Sequence, residues 1–180
     1  MKKIKLLILD VDGVLTNGKK YYDNTGKVHL KTFCDKDWTA IKRFRAMGIN
    51  VVFLTGDPFN ESIAENRNIH CIVNRKDGKH TDKSHYITEL AKEYKVKIDE
   101  IVYAGDDIFD IEIMKKLKHC YCPMNSAMLV QQFADPIEAN SGENFVMTLL
   151  DQLQEEKLIP DPDFETHLTK VYELDEKEKF

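Results

Sequence analysis

The sequence lacks several features that mark membrane, secreted and nucleic-acid-binding proteins. No apolar run in its 180 residues reaches the length of a membrane-spanning helix, and the N-terminus does not have the layout of a signal peptide. Basic residues are not in excess, because 26 lysines and arginines stand against 31 acids and the formal net charge is −5. This balance argues against nucleic acid or an anionic membrane as the main partner. We therefore expect a cytoplasmic protein that binds neither.

Cysteine is scarce as well, and the sequence contains no internal repeat or low-complexity block. The four cysteines are Cys34, Cys71, Cys120 and Cys122. In a cytosolic chain they are more consistent with reduced thiols than with a disulfide framework. A histidine precedes Cys71 and another precedes Cys120, a ligand pairing that occurs in metal sites. However, we expect these two stretches on opposite edges of one sheet, too far apart to share an ion within one subunit.

The length and composition suit one globular domain. A chain of 180 residues can bury a full core but is short for two domains, and 42% apolar with 32% charged residues is ordinary. Apolar runs of strand length alternate with segments of helical periodicity, which predicts an α/β fold with a doubly wound, three-layer parallel sheet. We place the domain at residues 1–158. The tail at 159–180 is predicted to be extended or partly helical, with no core of its own.

The first apolar run ends in a pair of acids. Residues 5–9 form an unbroken run typical of a buried central strand, and Asp10, Val11, Asp12 and Gly13 follow directly. Because side chains alternate along a strand, both carboxylates leave it on the same side. Two close acids repel each other and are tolerated mainly where a cation or a proton compensates, although an acid before glycine is also ordinary in a turn.

A predicted β-hairpin follows this acid pair. Segments of strand character at residues 19–22 and 28–33 flank a turn, and we treat residues 14–35 as a flap that projects from the sheet. The flap could be a decorative insertion. Its position beside the two acids favours a role in covering the site or in subunit contact.

The second buried strand also ends in polar residues. Residues 51–54 form this strand, and Thr55, Gly56 and Asp57 follow it. Asp57 at the N-cap with Pro58 at the first helical position predicts the start of a helix.

The fourth strand and the helix before it add two acids and a lysine. The strand is followed by Asp106 and Asp107. Residues 75–80 are predicted to form a polar loop, after which Thr81 caps a helix. Lys83 lies in the first turn of that helix, where the helix dipole disfavours a cation. A residue in such a locally unfavourable position often has a functional role. If the first strand is central, all these groups converge on one crevice at the carboxyl ends of the strands.

At these residues the sequence resembles phosphatases of the haloacid dehalogenase (HAD) superfamily. The first motif of that family, Asp-x-Asp-Gly-x-x-Thr, matches residues 10–16, and its Thr-Gly motif matches Thr55 and Gly56. Its lysine matches Lys83, and its acidic Gly-Asp-Asp motif begins at Gly105. All four motifs occur in the order of the family and together span most of the chain.

The resemblance implies a two-step phosphoryl transfer. Asp10 would attack phosphorus and form an aspartyl-phosphate, while Asp12 would protonate the leaving oxygen and then activate water. Mg²⁺ would be held by the Asp10 carboxylate, the Asp12 main-chain carbonyl and Asp106. Carboxylate and carbonyl oxygens are the ligands that this ion prefers.

The resemblance also implies binding roles for other residues. The substrate-binding set would be Thr55, Gly56, Asp57 and Lys83. Within it, the hydroxyl and the ammonium group would donate to the phosphoryl oxygens. Asp107 would contact Asp106 or Lys83 and hold it in position without touching the metal or the substrate itself. Asp110 is expected as a structural acid of the next helix. Asp57 has a second interpretation, in which it does no more than cap its helix.

The small size and the early flap resemble the capless branch of the superfamily, which dephosphorylates sugar acids. We therefore expect hydrolysis of an octulosonate 8-phosphate or a nonulosonate 9-phosphate. Enzymes of this branch form tetramers in which the flap of a neighbour completes each active site, so the resemblance implies a homotetramer.

Three departures from the octulosonate phosphatases of this branch keep other functions open, although an acid at position 57 resembles the nine-carbon phosphatases. Asp57 replaces the arginine of a Thr-Gly-Arg motif, Trp38 replaces a glycine, and residues 141–145 lack an arginine. A lysine elsewhere does not substitute for arginine in bidentate carboxylate recognition. The alternatives are a phosphatase of another small sugar phosphate and a non-catalytic, phosphatase-like oligomerisation domain. The second alternative predicts loss of a motif acid or of the lysine, and none is lost.

Overall fold

The structure, a computed structural model, describes residues 3–179. Its strands are β1 (Leu6–Leu9), β2 (Tyr21–Tyr22), β3 (Val28–Leu30), β4 (Asn50–Thr55), β5 (His70–Val73), β6 (Arg75–Lys76), β7 (Lys79–His80), β8 (Ile101–Ala104), β9 (His119–Pro123) and β10 (Asp135–Ile137).

Helices connect most of these strands. The α-helices are α1 (Asp35–Ala46), α2 (Phe59–Asn66), α3 (Ile87–Glu93), α4 (Ile111–Met114), α5 (Phe145–Glu155) and α6 (Phe164–Asp175). Short 3₁₀ helices are η1 (Lys83–Tyr86), η2 (Ile98–Glu100), η3 (Ile108–Asp110) and η4 (Val130–Gln132). Within residues 3–179, no helix is both long and apolar enough to cross a bilayer.

The predicted α/β fold with a doubly wound parallel sheet is confirmed. Six strands pair in the order β10-β9-β8-β1-β4-β5, and every pair in this sheet is parallel. Strand β1 is central, with Leu9 opposite Phe53 of β4 on one side and opposite Ala104 of β8 on the other. The chain order reverses at β1, which creates a crevice at the carboxyl ends of β1, β4 and β8.

Strand β1 divides the core into two layers. Its four residues are fully buried, and alternation sends Leu7 and Leu9 to one face of the sheet and Leu6 and Ile8 to the other. Each face is covered by apolar side chains from helices, which explains why an unbroken apolar run, and not an alternating one, marks this strand.

The flap forms as predicted, and it lies against the domain that carries it. Strands β2 and β3 pair antiparallel, and an isolated bridge joins Thr16 to Phe33 at the base of the hairpin. The Phe33 ring lies 5.2 Å from the Trp38 ring of α1. This aromatic contact fixes the returning strand of the flap next to the crevice.

The predicted polar loop at residues 75–80 is wrong in detail, because these residues form a second hairpin. Strands β6 and β7 pair around Asp77 and Gly78, whose φ values are 50° and 77°. Two consecutive positive φ values are typical of a type I′ turn, for which Asp-Gly is a favoured sequence. The pair is too short for a period-two pattern to reveal it.

The predicted helix cap at Thr81 is also wrong. The Oδ1 atom of Asp82 accepts a hydrogen bond from the Ser84 nitrogen at 2.8 Å, so Asp82 caps η1 and Thr81 lies outside it. The Thr81 hydroxyl instead donates to the Asn74 carbonyl oxygen. Lys83 still opens the helical segment, as the sequence indicated.

The tail contains a regular helix that packs on the domain. Helix α6 covers part of α1, where the buried Lys42 forms an ion pair with Asp175. The four cysteines are free thiols. Strand β5 is an edge strand as expected, whereas β9 lies one strand in from the opposite edge, which β10 forms. The domain limits at residues 158 and 159 stay a prediction.

Candidate active site

All eight residues that the sequence marked as site residues line one cavity at the carboxyl ends of β1, β4 and β8. They are Asp10, Asp12, Thr55, Gly56, Asp57, Lys83, Asp106 and Asp107. The cavity has a volume of about 470 Å³, within the range of about 300–1,000 Å³ that is typical of small-molecule sites.

Asp10 and Lys83 form the centre of this cavity. Asp10 directly follows β1, and its Oδ1 atom accepts a hydrogen bond from the Val11 nitrogen at 2.7 Å. Its Oδ2 atom lies 2.9 Å from the Lys83 Nζ atom. Burial lowers the pKa of Lys83, but the charges of Asp10 and Asp110 outweigh this effect and hold it above its usual value. The lysine is therefore a permanent cation beside the Asp10 carboxylate.

Asp110 holds Lys83 in place, and the sequence analysis did not assign it that role. Its Oδ1 atom lies 2.6 Å from Lys83 Nζ and accepts a hydrogen bond from the Tyr103 hydroxyl at 2.5 Å. Its Oδ2 atom accepts from the main-chain nitrogens of Asp106 at 2.9 Å and of Asp107 at 3.0 Å. Asp110 is fully buried and both of its oxygens are occupied, so it organises the loop after β8.

The supporting role predicted for Asp107 therefore needs a correction. The Asp107 side chain is exposed, and its Oδ1 atom accepts a hydrogen bond from the next main-chain nitrogen, at Ile108. The carboxylate that contacts Lys83 and the nitrogen of Asp106 is that of Asp110. Both acids follow β8 in the sequence, and only the direction of the loop after β8 decides between them.

Gly13 allows Asp106 to approach the loop that follows β1. Gly13 has a φ of +85°, and a Cβ atom built on it would lie 2.0 Å from Asp106 Oδ2. Any side chain at this position would therefore push Asp106 away from Asp10. The Asp106 Oδ1 atom is buried and has no hydrogen-bond partner among residues 3–179.

The acidic cluster fits a divalent cation. Carboxylate oxygens of Asp10, Asp106 and Asp110 all lie within 4.8 Å of one another. Burial, opposed by Lys83 and reinforced by Asp110, raises the pKa of Asp10 to about 7. Burial and the charge of Asp10 raise the pKa of Asp106 to about 8. Lys83 thus offsets only part of the negative charge of these three acids, and their oxygen ligands suit a hard ion such as Mg²⁺.

Thr55 presents a hydroxyl donor at the end of β4. Its buried Oγ1 atom accepts hydrogen bonds from the Asp57 nitrogen at 3.2 Å and from the Asn60 Nδ2 atom at 2.8 Å. A threonine hydroxyl has two acceptor positions and one proton, so these two bonds leave the proton available to a ligand. No local pattern in the sequence indicates that Asn60 fixes this geometry.

Asp57 caps its helix and also binds the flap. Its Oδ1 atom accepts a hydrogen bond from the Phe59 nitrogen at 3.0 Å, as a capping residue does. Its Oδ2 atom lies 2.7 Å from Lys20 Nζ and 2.9 Å from Lys31 Nζ. Burial opposes ionisation, but the hydrogen bonds from Lys20 and Lys31 hold the pKa of Asp57 well below its usual value.

Asp12 is covered by the flap of its own chain. Its two oxygens lie 2.7 and 2.9 Å from Lys31 Nζ, and Lys20 Nζ is 3.6 Å away. The Asn60 amide donates to the same carboxylate at 3.2 Å. The sequence analysis placed the flap beside the acids but named neither lysine, because nothing local distinguishes them from other surface lysines.

The hairpin β6-β7 contributes Arg75 and His80 to the lining of the cavity. The His80 ring stacks on Phe109 with centroids 4.5 Å apart, and Arg75 Nη2 lies 2.6 Å from His80 Nε2. A Cβ atom on Gly56 would lie 2.1 Å from His80 Cε1, so glycine is needed there for the ring to fit. Burial and the charge of Arg75 lower the pKa of His80.

Comparisons with known proteins agree with this site. A family model described as haloacid dehalogenase-like hydrolase matches residues 77–150. The 3-deoxy-D-manno-octulosonate 8-phosphate phosphatase of Escherichia coli K12 is 30% identical over 116 residues, which are 64% of this chain and 60% of that protein. The chain thus matches less than two thirds of the length of such curated relatives.

Solved structures extend the match to nearly the whole chain. A HAD superfamily (subfamily III A) hydrolase from Legionella pneumophila is 31% identical with a TM-score of 0.80, covering 96% of this chain and 91% of that one. The cobalt-bound deoxy-D-mannose-octulosonate 8-phosphate phosphatase from Haemophilus influenzae is 26% identical with a TM-score of 0.77, covering 86% and 90%. The four motifs, their convergence on one cavity and these matches establish that the chain belongs to the haloacid dehalogenase superfamily of hydrolases.

Proposed function

We propose that this protein is a Mg²⁺-dependent phosphomonoester hydrolase that acts on a sugar-acid phosphate through an aspartyl-phosphate. The observation that carries the proposal is the buried contact of 2.9 Å between Asp10 and Lys83, beside Asp106 and the Thr55 hydroxyl. A nucleophilic carboxylate, a fixed cation and a free hydroxyl donor around one gap are what phosphoryl transfer requires.

In the first step, an Asp10 oxygen attacks phosphorus and the bond to the leaving oxygen breaks. Lys83 and Thr55 donate to the phosphoryl oxygens, and the main chain around Gly56 completes this part of the site. Asp12 gives its proton to the leaving oxygen, which departs as an alcohol.

In the second step, water hydrolyses the aspartyl-phosphate. Asp12, now ionised, takes a proton from the water, which attacks phosphorus and releases Asp10 and inorganic phosphate. The same carboxylate thus serves as acid and then as base.

Mg²⁺ is the cation that the donor set favours. The Asp10 carboxylate, the Asp12 main-chain carbonyl and Asp106 would hold it, while Asp110 is occupied by Lys83 and by main-chain nitrogens. Bound there, the ion would reduce the repulsion between Asp10 and the phosphate. A phosphatase relative from Haemophilus influenzae, 26% identical, has been solved in a cobalt-bound form.

A sugar acid is the substrate class that the cavity favours. Lys20 and Arg75 line the cavity and, with Lys83, supply its positive charge. Arg75 is the candidate for binding a substrate carboxylate, because its planar guanidinium can pair with one in bidentate fashion, whereas Lys20 Nζ already lies 2.7 Å from Asp57 Oδ2. Octulosonate 8-phosphate and nonulosonate 9-phosphate are the named candidates, and another small sugar phosphate is the alternative.

The assembly and the cellular location belong to the same proposal. We propose a homotetramer, because the flap carries exposed apolar side chains at Tyr21, Tyr22 and Leu30. We propose a cytoplasmic protein, because its four cysteines are free thiols, as is usual in a reducing compartment.

The substitution Asp10→Asn tests the proposed nucleophile. It should lower Mg²⁺-dependent phosphate release from 4-nitrophenyl phosphate by at least about 10³-fold, because an amide cannot form the acyl-phosphate. Asp35→Asn, at an exposed acid of α1, is the matched control and should keep its activity. Circular dichroism would establish that both variants fold, and retained activity in a folded Asp10→Asn protein would exclude Asp10 as nucleophile.

Substrate class is tested with the wild-type protein. We expect kcat/KM for octulosonate 8-phosphate or nonulosonate 9-phosphate to exceed that for neutral sugar phosphates such as glucose 6-phosphate. Equal values across this set would favour the alternative of a general sugar phosphatase.

A further inference from the structure

Lys31 is a buried lysine that reaches into the site from the flap. It follows β3, and strand alternation puts it on the same side of the hairpin as Phe33, which packs on the domain. Its side chain is 0% exposed, although the flap around it is largely in contact with solvent.

The Nζ atom of Lys31 is surrounded by oxygens. It lies 2.7 and 2.9 Å from the two oxygens of Asp12, 2.9 Å from Asp57 Oδ2 and 2.9 Å from Asn60 Oδ1. It also lies 5.1 Å from the centre of the Phe59 ring. Each of these partners belongs to the loop after β1 or to the start of α2.

Burial of an ammonium group is costly unless its hydrogen bonds to water are replaced. Here Asp12 Oδ2 and Asn60 Oδ1 accept hydrogen bonds from Lys31, and Asp12 Oδ1 and Asp57 Oδ2 lie within ion-pair distance. An apolar side chain could anchor the flap without that cost. Anchoring of the flap therefore does not explain why a charged residue stands at position 31, and the contacts of the ammonium group have to explain it. Lys31 does not line the cavity, whereas Lys20 does, so substrate contact does not explain Lys31 either.

We propose that Lys31 is a positioning residue that holds the Asp12 carboxylate in the orientation needed for proton transfer, and that Asp57 and Asn60 hold Lys31. This inference rests on the proposed function, in which Asp12 serves the leaving oxygen and then water. Asn60 also bonds to Thr55 Oγ1 at 2.8 Å, which ties the same network to the proposed phosphoryl-binding hydroxyl. A flap that lifts away would remove Lys31 and Lys20, and of the contacts described above only that with the Asn60 amide would still hold the Asp12 carboxylate.

The alternative is that Lys31 only fastens the flap. Both roles predict a less active Lys31→Met variant, so loss of activity alone does not separate them. They differ in how the loss depends on the leaving group. A misplaced acid harms esters of weakly acidic alcohols most, because a strongly acidic phenol departs without protonation.

The experiment compares kcat/KM for a series of aryl phosphates whose phenols range from 4-nitrophenol to unsubstituted phenol. This ratio reports the steps up to departure of the leaving group. The wild-type protein should show a shallow dependence on the acidity of the phenol. For Lys31→Met we expect a steep one, with a loss of at least about tenfold for phenyl phosphate and a much smaller loss for 4-nitrophenyl phosphate.

Two further variants complete the design. Lys27→Met removes the same charge from an exposed position of the same flap and should match the wild type. Lys31→Arg keeps the charge and should restore part of the phenyl phosphate activity. Activity of Lys31→Met toward 4-nitrophenyl phosphate also establishes that the variant is folded.

Each outcome decides a different claim. If kcat/KM of Lys31→Met falls by the same factor for every aryl phosphate, or does not fall, the positioning role is wrong and the proposed function is unaffected. Absence of phosphate release by the wild-type protein from every ester, with Mg²⁺ added, would overturn the proposed function and this inference with it. A steeper dependence for Lys31→Met alone supports both.

Discussion

Among single residues, Asp37 is a buried acid whose role lies outside the cavity. It is 1% exposed, in the first turn of α1. Its Oδ1 atom accepts hydrogen bonds from the main-chain nitrogens of Val146 at 2.8 Å and Met147 at 3.2 Å, the first turn of α5. Its Oδ2 atom has no hydrogen-bond partner among residues 3–179. Asp37 therefore caps a helix that is distant in sequence.

Burial of Asp37 should make stability depend on pH. Burial, only partly opposed by the bonds from Met147 and Val146, raises the pKa of Asp37 from 3.8 to about 6. The folded state thus binds a proton that the unfolded chain releases, so the contribution to stability is largest below pH 3.8 and falls as the pH rises toward about 6. We expect the free energy of unfolding, measured relative to Asp37→Asn, to fall by up to about 3 kcal/mol between pH 4 and pH 7.

Urea denaturation of both proteins at several pH values measures this difference. The subtraction removes the contributions of other titrating groups, including Asp10 and Asp106. The exposed acid Asp35 provides the control, because the difference between wild type and Asp35→Asn should not change with pH. A difference for Asp37→Asn that is equally flat would contradict the predicted pKa.

The residues of the site were predictable to the extent that they follow strands. Asp10, Thr55 and Asp106 stand at the ends of apolar runs, and parallel strands bring such ends together whatever the details of the loops. Lys31 and Asn60 do not directly follow an apolar run of this kind. Their positions depend on how the flap and α2 pack, which no local pattern in the sequence records.

At the scale of elements, the long ones were predictable and the short ones were not. Strands β1, β4 and β8 are buried on both faces, so their apolar runs are unambiguous. The hairpin at residues 75–80 and the 3₁₀ helices have too few residues for a periodic pattern. Threonine and aspartate are both common N-cap residues, so the sequence alone does not choose between Thr81 and Asp82. The backbone geometry places Asp82 at the N-cap.

The segment after α6 is held by charges that reach the domain. Glu178, whose side chain is 2% exposed, lies 2.7 Å from Arg67 and 3.3 Å from Lys42. The Arg67 guanidinium lies 3.9 Å from the centre of the Trp38 ring. The Lys179 nitrogen donates to the Asn66 carbonyl oxygen at 2.8 Å. The end of the chain thus fastens α1 to α2, and α2 begins beside the cavity.

Glu178 should therefore contribute to stability although it lies near the C-terminus. Glu178→Gln removes one charged partner from each of two cations that are largely buried, which should lower the free energy of unfolding by about 1–2 kcal/mol and Tm by about 2–6 °C. Glu173→Gln is the matched control, because that side chain is exposed. Thermal melts of the two variants measure the effect, and equal Tm values would mean that the contacts of Glu178 add nothing.

At the scale of the whole molecule, the topology followed from the alternation of strands and helices. Right-handed crossovers and a central β1 leave few arrangements, and the observed order β10-β9-β8-β1-β4-β5 is one of them. What no pattern predicts is that the flap lies on its own domain, with Lys31 against Asp12. This contact means that one chain brings its own flap to its own site, so no neighbouring subunit is needed to supply Lys31.

The exposed apolar side chains of the flap are where a neighbour would contribute. Tyr21, Tyr22 and Leu30 are 57%, 62% and 55% exposed, which is unusual for large apolar side chains next to a catalytic cavity. If the proposed homotetramer forms through them, light scattering should give a mass near four times 20.9 kDa. Leu30→Glu should then dissociate the assembly and lower kcat/KM, since a charge would be buried at the interface.

His29→Glu places the same acid at the neighbouring exposed position, and it should dissociate the assembly less if the apolar side chains form the contact. Because Leu30 is exposed in the single chain, a loss of activity in Leu30→Glu without a change in Tm per chain would be due to the lost neighbour. A protein that is monomeric at assay concentration and fully active would contradict the tetramer. In that case the flap of each chain, through Lys20 and Lys31, would be sufficient to close the site.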